Sequence, residues 1–181
     1  MTDLEYWRRR LCRVTDRVLI TGDLPQDEGS AMALLEEWRS AGVTHILDVR
    51  AEGDAPSLLL RHAPAMRYMR VPTEDEGRQQ PDAWFDAGVA YSLTALSKPD
   101  TTLLIHCAMG INRGPSMAFR ILLELGWQPI TALEAIRHAR PIADVGYAGD
   151  ALDHFHRVHD IETGVRDEER GIIEAWLRGY L

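Results

Sequence analysis

Hydrophobic residues occur along this chain in two patterns, short continuous runs and longer stretches with helical spacing. The continuous runs predict buried strands near residues 17–21, 43–49, 67–71 and 101–105. The helical spacing predicts helices over Ser30–Ala41, Pro81–Leu96, Met117–Leu125, Ile130–Ala139 and Ala148–Val158. Because strands and helices alternate, we expect an α/β fold: a central, mostly parallel sheet of four to five strands with helices on both of its faces.

The two ends of the chain carry apolar residues whose role this pattern leaves open. Residues 163–181 predict one more amphipathic helix, with a stripe made of Ile172, Ile173, Trp176, Leu177 and Leu181. We expect this helix to pack onto the domain; a dimer contact and a docking helix are the alternatives. The first dozen residues pose the same question. A length of 181 residues suits one domain, spanning residues 1–181.

One polar segment interrupts the pattern between the strand at 101–105 and the helix that follows it. It holds Cys107 and Arg113 with five residues between them. Pro115 fits the first turn of a helix, so residues 108–112 must turn the chain, and successive backbone N–H groups in such a turn form an anion-binding nest. The positive end of the helix adds to the nest, and an arginine grips two phosphate oxygens at once. We therefore predict a phosphate-binding loop made of Ala108, Met109, Gly110, Ile111, Asn112 and Arg113.

Cys107 opens this loop at the point where the positive field is strongest. A helix N-terminus and nearby cations favour the thiolate form of a cysteine, and a thiolate below a bound phosphate attacks phosphorus in line to give a phosphocysteine. We expect His106 to help hold the loop by hydrogen bonding. The alternative is an inert buried thiol at the end of a strand. The presence of Gly110 and Arg113 between a strand and a helix favours the nucleophile.

The segment His106-Cys107-x-x-Gly110-x-x-Arg113 resembles the active-site loop of the cysteine-dependent protein tyrosine phosphatases. The size of the chain suggests the small dual-specificity branch of that superfamily. The resemblance covers roughly residues 17–160 and implies the fold and the phosphatase activity of the family. Four further segments are similar to it in the same order: an opening strand pair at 17–25, a core strand and turn at 42–52, the general-acid loop at 68–75 and a late helix end at 139–141.

The resemblance places a proton donor on the loop that follows the 68–72 strand, at Asp75. A donor is needed because an aryl or alkyl oxide is a poor leaving group. The residues alone leave Glu74 and Glu76 as competitors for this role. An acidic, solvated turn without a catalytic role is the alternative for the whole run.

The loop departs from the family pattern at Gly114, directly after Arg113. Most active relatives carry serine or threonine there, and the hydroxyl stabilises the departing thiolate when the phosphocysteine is hydrolysed. Ser116 either replaces that hydroxyl in part or caps the helix. Asn112 either donates to the phosphate, braces neighbouring carbonyls or tolerates an awkward backbone angle. We expect Gly114 to affect the rate of the reaction rather than its class.

The charge of the chain bears on its partners. There are 28 acidic and 20 basic residues, for a formal net charge of −8, which counts against nucleic acids and anionic membranes as partners. An adjacent His-Cys pair without a second ligand pair does not have zinc-site spacing, so we expect no metal ion and no other cofactor. We expect Arg50 and Arg70 to form ordinary surface salt bridges, and a place at the rim of the pocket is the alternative for either.

The cysteines and the N-terminal residues predict a compartment. Cys12 and Cys107 are the only cysteines, too few for a disulfide framework, and we expect a reducing cytoplasm. The charged first twenty residues argue against a signal peptide, and no apolar run approaches the length of a membrane span. We expect Cys12 to be a packed or surface thiol without a role.

Together these features predict a metal-independent phosphatase that hydrolyses phosphate monoesters through a phosphocysteine. The expected substrate is a phosphorylated protein or peptide, with phosphotyrosine first and phosphoserine or phosphothreonine as further candidates. One alternative is a phosphate-binding module with little turnover, suggested by Gly114. A non-protein substrate, such as a phosphoinositide or an RNA 5′ phosphate, and rhodanese-type sulfur transfer are the others. The sequence leaves the oligomeric state open.

Overall fold

The structure, a computed structural model, describes residues 3–53, 59 and 61–179. Its strands are β1 (Cys12–Arg13), β2 (Val18–Thr21), β3 (His45–Arg50), β4 (Arg67–Thr73) and β5 (Leu103–His106). Its helices are α1 (Asp3–Arg9), α2 (Glu28–Ser40), α3 (Asp82–Leu96), α4 (Arg113–Glu124), α5 (Pro129–Ala139), α6 (Ala148–Val158) and α7 (Thr163–Arg178). The predicted alternation of strands and helices is confirmed.

The strands form one five-stranded sheet in the order β1-β2-β5-β3-β4. All neighbours are parallel except β1 and β2, so the sheet is mostly parallel, as predicted. The sequence pattern did not indicate β1. The resemblance put an opening strand pair within residues 17–25, but β2 is the strand in that stretch and its antiparallel partner, Cys12–Arg13, comes earlier. A strand of two residues is too short to produce a hydrophobic period.

Helices cover both faces of the sheet because the central strands are apolar on both sides. Val18, Ile20 and Leu103 pack in one core with α3, α4, α5 and α6. Leu19 and Leu104, at the alternate positions, pack in a second core against α2. Successive side chains of a strand point to opposite faces, so a continuous apolar run is what a sheet buried on both faces requires.

Helix α4 lies at the centre of the first core. Every residue from Arg113 to Leu123 is buried, and the helix contacts α3, α5 and α6 as well as three strands. Its N-terminus therefore has a fixed position directly after β5.

Helix α7 packs onto α5 and α6, which supports the packing interpretation of the C-terminal helix. Ile173 is buried, and Trp176 and Leu177 are partly buried against the first core. The predicted stripe is wrong for Ile172, which is 46% exposed, because the buried face of the helix is centred on Ile173. Leu181, also assigned to the stripe, lies outside the described residues.

The parallel strands bring four chain segments to one edge of the sheet. Strands β2, β3, β4 and β5 end at Thr21, Arg50, Thr73 and His106. Because the strands run in the same direction, the residues after them meet at the same edge, which is where ligands of open α/β sheets bind. Those residues include Asp23, Glu52, Asp75 and Cys107.

Candidate active site

The segment from Cys107 to Asn112 turns the chain between β5 and α4. Cys107 is buried, with 2% of its surface exposed. A Cβ atom built on Gly114 would lie 3.5 Å from Cys107 Sγ, so the thiol lies against the first turn of α4. The sulfur therefore lies at the positive end of the helix dipole.

The hydrogen bonds of this turn determine where its N–H groups point. The carbonyl of Ala108 accepts from the Asp23 N–H at 3.0 Å. The carbonyls of Met109 and Gly110 accept from Arg140 at 2.8 and 2.5 Å. The carbonyl of Ile111 accepts from the backbone N–H groups of residues 144 and 145.

In a trans peptide the C=O and N–H groups point in opposite directions. The carbonyls of four successive peptide units are engaged by the surrounding structure, so the N–H groups of Met109, Gly110, Ile111 and Asn112 point to the other side. Successive N–H groups that point away from the surrounding structure form an anion-binding nest. Gly110 has φ +64°, which favours glycine in this turn.

Arg140 fixes the outer side of the turn and joins it to the N-terminal residues. Its guanidinium is fully buried. Besides the two carbonyls of the turn, it donates to Trp7 O at 2.7 Å and Arg10 O at 3.0 Å, and to Cys12 Sγ at 3.4 Å. The sequence indicated only a helix end at this position. Cys12 is buried, as one of its two alternatives predicted, and its sulfur is one of the acceptors of Arg140.

Arg113 follows the turn and is held by Glu52. Its Nη1 and Nη2 atoms donate to the two oxygens of Glu52 at 2.8 and 2.5 Å, and Nη1 also donates to Thr73 O at 2.9 Å. The hydrogen bonds from Arg113 lower the pKa of Glu52 to about 2. Burial acts to lower the pKa of Arg113. The bond to Glu52 and the charges of Cys107 and Asp75 outweigh burial, so the pKa of Arg113 lies above its usual value.

The Nε atom of Arg113 remains without a hydrogen bond among the described residues, although it is buried. The nearest acidic oxygen recorded for it is Asp75 Oδ2, at 3.4 Å. A buried N–H group without an acceptor is costly. This donor therefore favours an additional acceptor oxygen beside Cys107.

Asp75 contacts the phosphate-binding loop through Asn112. Its Oδ1 atom accepts from Asn112 Nδ2 at 2.7 Å and from the Tyr147 hydroxyl at 2.8 Å. The two competitors for its role are placed differently. All three acidic residues are exposed, but among the described residues neither Glu74 nor Glu76 bonds to Asn112 or Tyr147 through its side chain, and Glu76 pairs with Arg78 at 3.3 Å.

Asn112 and Ser116 make contacts that the sequence did not predict. The Asn112 side chain donates to Asp75 and makes no capping bond to α4. Ser116 does not cap the helix either: its hydroxyl donates to Asn112 Oδ1 at 3.4 Å and accepts from the Tyr147 N–H at 3.1 Å. Of the two alternatives for Ser116, capping is wrong because Asn112, not Ser116, occupies the N-cap position.

His106 is fully buried, and neither of its ring nitrogens has a hydrogen bond among the described residues. The expectation that it holds the loop by hydrogen bonding is therefore wrong. Its ring packs 6.0 Å from that of Trp38, and Nε2 lies 3.6 Å from Asp48 Oδ2. Burial lowers the pKa of His106, although Asp48 opposes this effect.

Arg50 and Arg70 do not form the expected surface salt bridges. Arg50 is buried, donates to both oxygens of Asp48 at 2.9 and 2.8 Å, and lies 2.5 Å from Asp23 Oδ1. Arg70 donates to the backbone carbonyls of residues 50 and 51. The ion pair with Arg50 helps to fix Asp23, whose backbone N–H donates to the carbonyl of Ala108.

The described residues lack two features, a metal cluster and a membrane-spanning helix. They contain no group of three or more His, Cys, Asp or Glu side chains arranged to hold a metal ion. They also contain no helix with both the length and the apolar character of a membrane span.

Comparison with known proteins gives a consistent set of relatives. No family model matches the chain. Dual specificity protein phosphatase 26 of Bos taurus is 26% identical over 104 residues, which are 58% of this chain and 48% of that protein. The chain therefore spans about half the length of the curated relatives it matches.

Solved structures share the fold. Human DUSP28 has a TM-score of 0.67 at 20% identity, covering 82% of this chain and 95% of that one. PTPMT1 in complex with PI(5)P has a TM-score of 0.62 at 18% identity, covering 82% of this chain and 98% of that one. At these identities the likeness concerns the fold, and it agrees with the α/β architecture expected from the sequence.

Proposed function

We propose that the chain is a metal-independent phosphatase of phosphate monoesters, because it is similar to dual specificity protein phosphatase 26 and shares the fold of human DUSP28. The buried Nε atom of Arg113 is the observation that carries this proposal. This atom has no acceptor among the described residues. It follows a turn whose carbonyl groups are bonded to the surrounding structure, so that the N–H groups of the same peptide units point the other way. A tetrahedral oxyanion bound over Cys107 supplies acceptors to both.

The proposed reaction has two steps. In the first, Cys107 Sγ attacks phosphorus, the bond to the leaving oxygen breaks, and that oxygen takes a proton from Asp75. In the second, Asp75 takes a proton from water as the water oxygen attacks phosphorus, and Cys107 leaves as the thiolate. Arg113 and the N–H groups of the turn stabilise the equatorial oxygens in both transition states.

We propose phosphorylated proteins or peptides as the substrates, with phosphotyrosine first. Met109 and Ile111 are partly exposed on the loop, and apolar side chains at the rim suit an aromatic ring. A phosphoinositide is the second candidate, because PTPMT1, with the same fold, has been solved with PI(5)P. The formal charge of −8 disfavours an anionic membrane surface. A reducing compartment such as the cytoplasm keeps Cys107 a free thiol.

The test is hydrolysis of para-nitrophenyl phosphate in the presence of a chelator, with the intact protein and with Cys107→Ser. We expect turnover in the intact protein and none in the variant, together with a phosphate adduct on Cys107 in rapidly quenched samples. Thermal unfolding with and without phosphate shows whether Cys107→Ser is folded and still binds the anion. Metal-dependent turnover, or turnover that survives in Cys107→Ser, would contradict the proposal.

The same samples separate the competing functions. Phosphate binding without turnover in the intact protein would favour the binding module, for which the absence of a hydroxyl at Gly114, next to the thiol, is the supporting observation. Formation of thiocyanate from thiosulfate and cyanide would favour sulfur transfer. A panel of phosphopeptides and phosphoinositides then ranks the two substrate classes.

A further inference from the structure

Asp75 is held through one of its two carboxylate oxygens by donors from two other parts of the chain. Asn112 Nδ2 and the Tyr147 hydroxyl both donate to Oδ1, at 2.7 and 2.8 Å. The other oxygen, Oδ2, lies 3.4 Å from Arg113 Nε. The two oxygens therefore have different surroundings.

This difference leaves one of the two carboxylate oxygens of Asp75 unoccupied. An oxygen that already accepts two hydrogen bonds is a poor site for a proton, because a protonated oxygen loses most of its acceptor capacity. Oδ2, which lies 3.4 Å from Arg113 Nε, is therefore the oxygen left free of hydrogen bonds among the described residues and available to exchange a proton with a substrate. The carboxyl group is in this way oriented for proton transfer before a substrate binds.

Tyr147 is itself fixed in place. Only 4% of its surface is exposed. Its hydroxyl accepts from the Gly77 N–H at 3.2 Å while it donates to Asp75, and its own N–H donates to Ser116 Oγ at 3.1 Å. Burial, and then the bond to Asp75, raise the pKa of Tyr147, so the hydroxyl keeps its proton and remains a donor.

We propose that Tyr147 is a positioning residue for the general acid, acting together with Asn112. Its hydroxyl holds the loop of Asp75 and Gly77 against the start of α6 and orients the carboxyl group of Asp75 for proton transfer to the leaving oxygen. The proposal rests on the proposed phosphatase function, in which Asp75 is the proton donor. It adds a residue that touches neither the phosphate nor the thiol.

The experiment compares Tyr147→Phe with the intact protein on a series of aryl phosphates whose leaving groups differ in basicity. Removal of the hydroxyl misdirects the proton, so kcat/KM on phenyl phosphate is expected to fall by about tenfold, the size of one hydrogen bond to a charged group. Esters with strongly activated leaving groups need no proton and are expected to change less than about twofold.

Two further variants make the result specific. Tyr91→Phe removes a hydroxyl that donates to Arg67 O, at the start of β4, and is expected to leave all rates unchanged. The double variant Asp75→Asn with Tyr147→Phe is expected to be no slower than Asp75→Asn alone, because Tyr147 acts only through Asp75. Thermal unfolding of each variant accounts for any loss of folded protein.

The outcomes distinguish a failure of the positioning role of Tyr147 from a failure of the proposed phosphatase function. An equal loss on all leaving groups, or additive losses in the double variant, would overturn the positioning role and assign Tyr147 to structure alone. A normal leaving-group dependence in Tyr147→Phe would do the same. A protein that hydrolyses none of the esters would overturn the phosphatase function, and the role of Tyr147 with it.

Discussion

At the scale of single residues, two carboxylates face Arg113 and differ in their bonds. Glu52 takes both Nη atoms and, with its pKa of about 2, is ionised throughout any ordinary assay. Asp75 makes no hydrogen bond to Arg113, and its Oδ2 atom lies 3.4 Å from Nε. Only Asp75 is therefore placed to exchange a proton during the reaction, and Glu52 serves to orient the guanidinium.

The first residue-scale prediction concerns Asp75. We expect Asp75→Asn to lower turnover on poor leaving groups by roughly 10²–10⁴-fold, because an amide cannot supply the proton. Glu74→Gln and Glu76→Gln are matched controls, since both side chains are exposed on the same loop. Steady-state kinetics on phenyl phosphate measure all three. A normal rate in Asp75→Asn beside a collapse in either control moves the role to that neighbour.

The second residue-scale prediction concerns Gly114. A Cβ atom there would lie 3.5 Å from Cys107 Sγ, an ordinary contact, so a serine fits and brings a hydroxyl to the thiolate. We expect the intact protein to give a burst of product because the phosphocysteine breaks down slowly. Gly114→Ser should speed this breakdown by about tenfold and remove the burst.

Gly114→Ala is the matched control for that variant, because it adds the same Cβ without the hydroxyl. Stopped-flow measurement of product release follows both variants. Linear release from time zero in the intact protein, or equal effects of serine and alanine, would show that Gly114 does not limit the reaction.

At the scale of elements, the turn before α4 depends on α1 and β1 through Arg140. This side chain bonds two carbonyls of the turn, two carbonyls near the end of α1, and the sulfur of Cys12 in β1. A fixed direction of these carbonyls is what directs the N–H groups of the turn. The orientation of the phosphate-binding groups is therefore a property of several elements together.

We expect Arg140→Lys to lower kcat/KM by about tenfold and to slow alkylation of Cys107 by iodoacetamide, because a lysine has three donors in place of five. Arg120→Lys is the matched control: Arg120 is also a buried arginine, but it bonds His154 and Glu124, away from the turn. It should lose stability and retain its rate. Equal losses of rate in both variants, after correction for the folded fraction, would contradict the role of Arg140.

At the scale of the whole molecule, buried histidines link stability to pH. Burial lowers the pKa of His45, His106 and His154. The ordinary pKa of histidine is about 6.5. As the pH falls below this value, these histidines bind protons in the unfolded chain but not in the folded chain. This contribution to stability is complete above that pH and is lost as the pH falls.

We expect the free energy of unfolding to decrease from pH 7 to pH 5 with a slope of up to about 1.4 kcal/mol per pH unit for each such histidine. Urea unfolding at several pH values measures it. His154→Gln should reduce the slope, whereas His138→Gln, which changes an exposed histidine, should not. A stability that is flat from pH 7 to pH 5 would contradict the prediction.

The sequence predicted those parts of the molecule that depend on neighbouring residues. The strand, the turn and the helix around Cys107 follow one another within a short segment, so their hydrophobic pattern and glycine are informative. Glu52, Tyr147 and Arg140 were not recognised as site residues, because they reach their partners across 61, 72 and up to 133 residues of sequence. Periodicity reports which face of an element is buried and not which distant segment lies against it.

The error over Arg50 has the same origin. A charged residue is usually exposed, so its type favoured the surface. Arg50 is instead buried among Asp48 and Asp23, where opposite charges and hydrogen bonds compensate the loss of water. The pairing of Arg50 with Asp23 joins β3 to the segment after β2, which no local pattern encodes.

The contacts of Arg140 with Trp7 and Arg10 are made to backbone carbonyls, not to side chains. Such contacts constrain the length and path of the first turns of the chain while leaving the identities of their residues free. Mutations there can accumulate over evolution so long as the backbone keeps its course. A segment that varies freely between related proteins can thus be as necessary to the reaction as the cysteine, and an alignment alone would rank it among the dispensable parts.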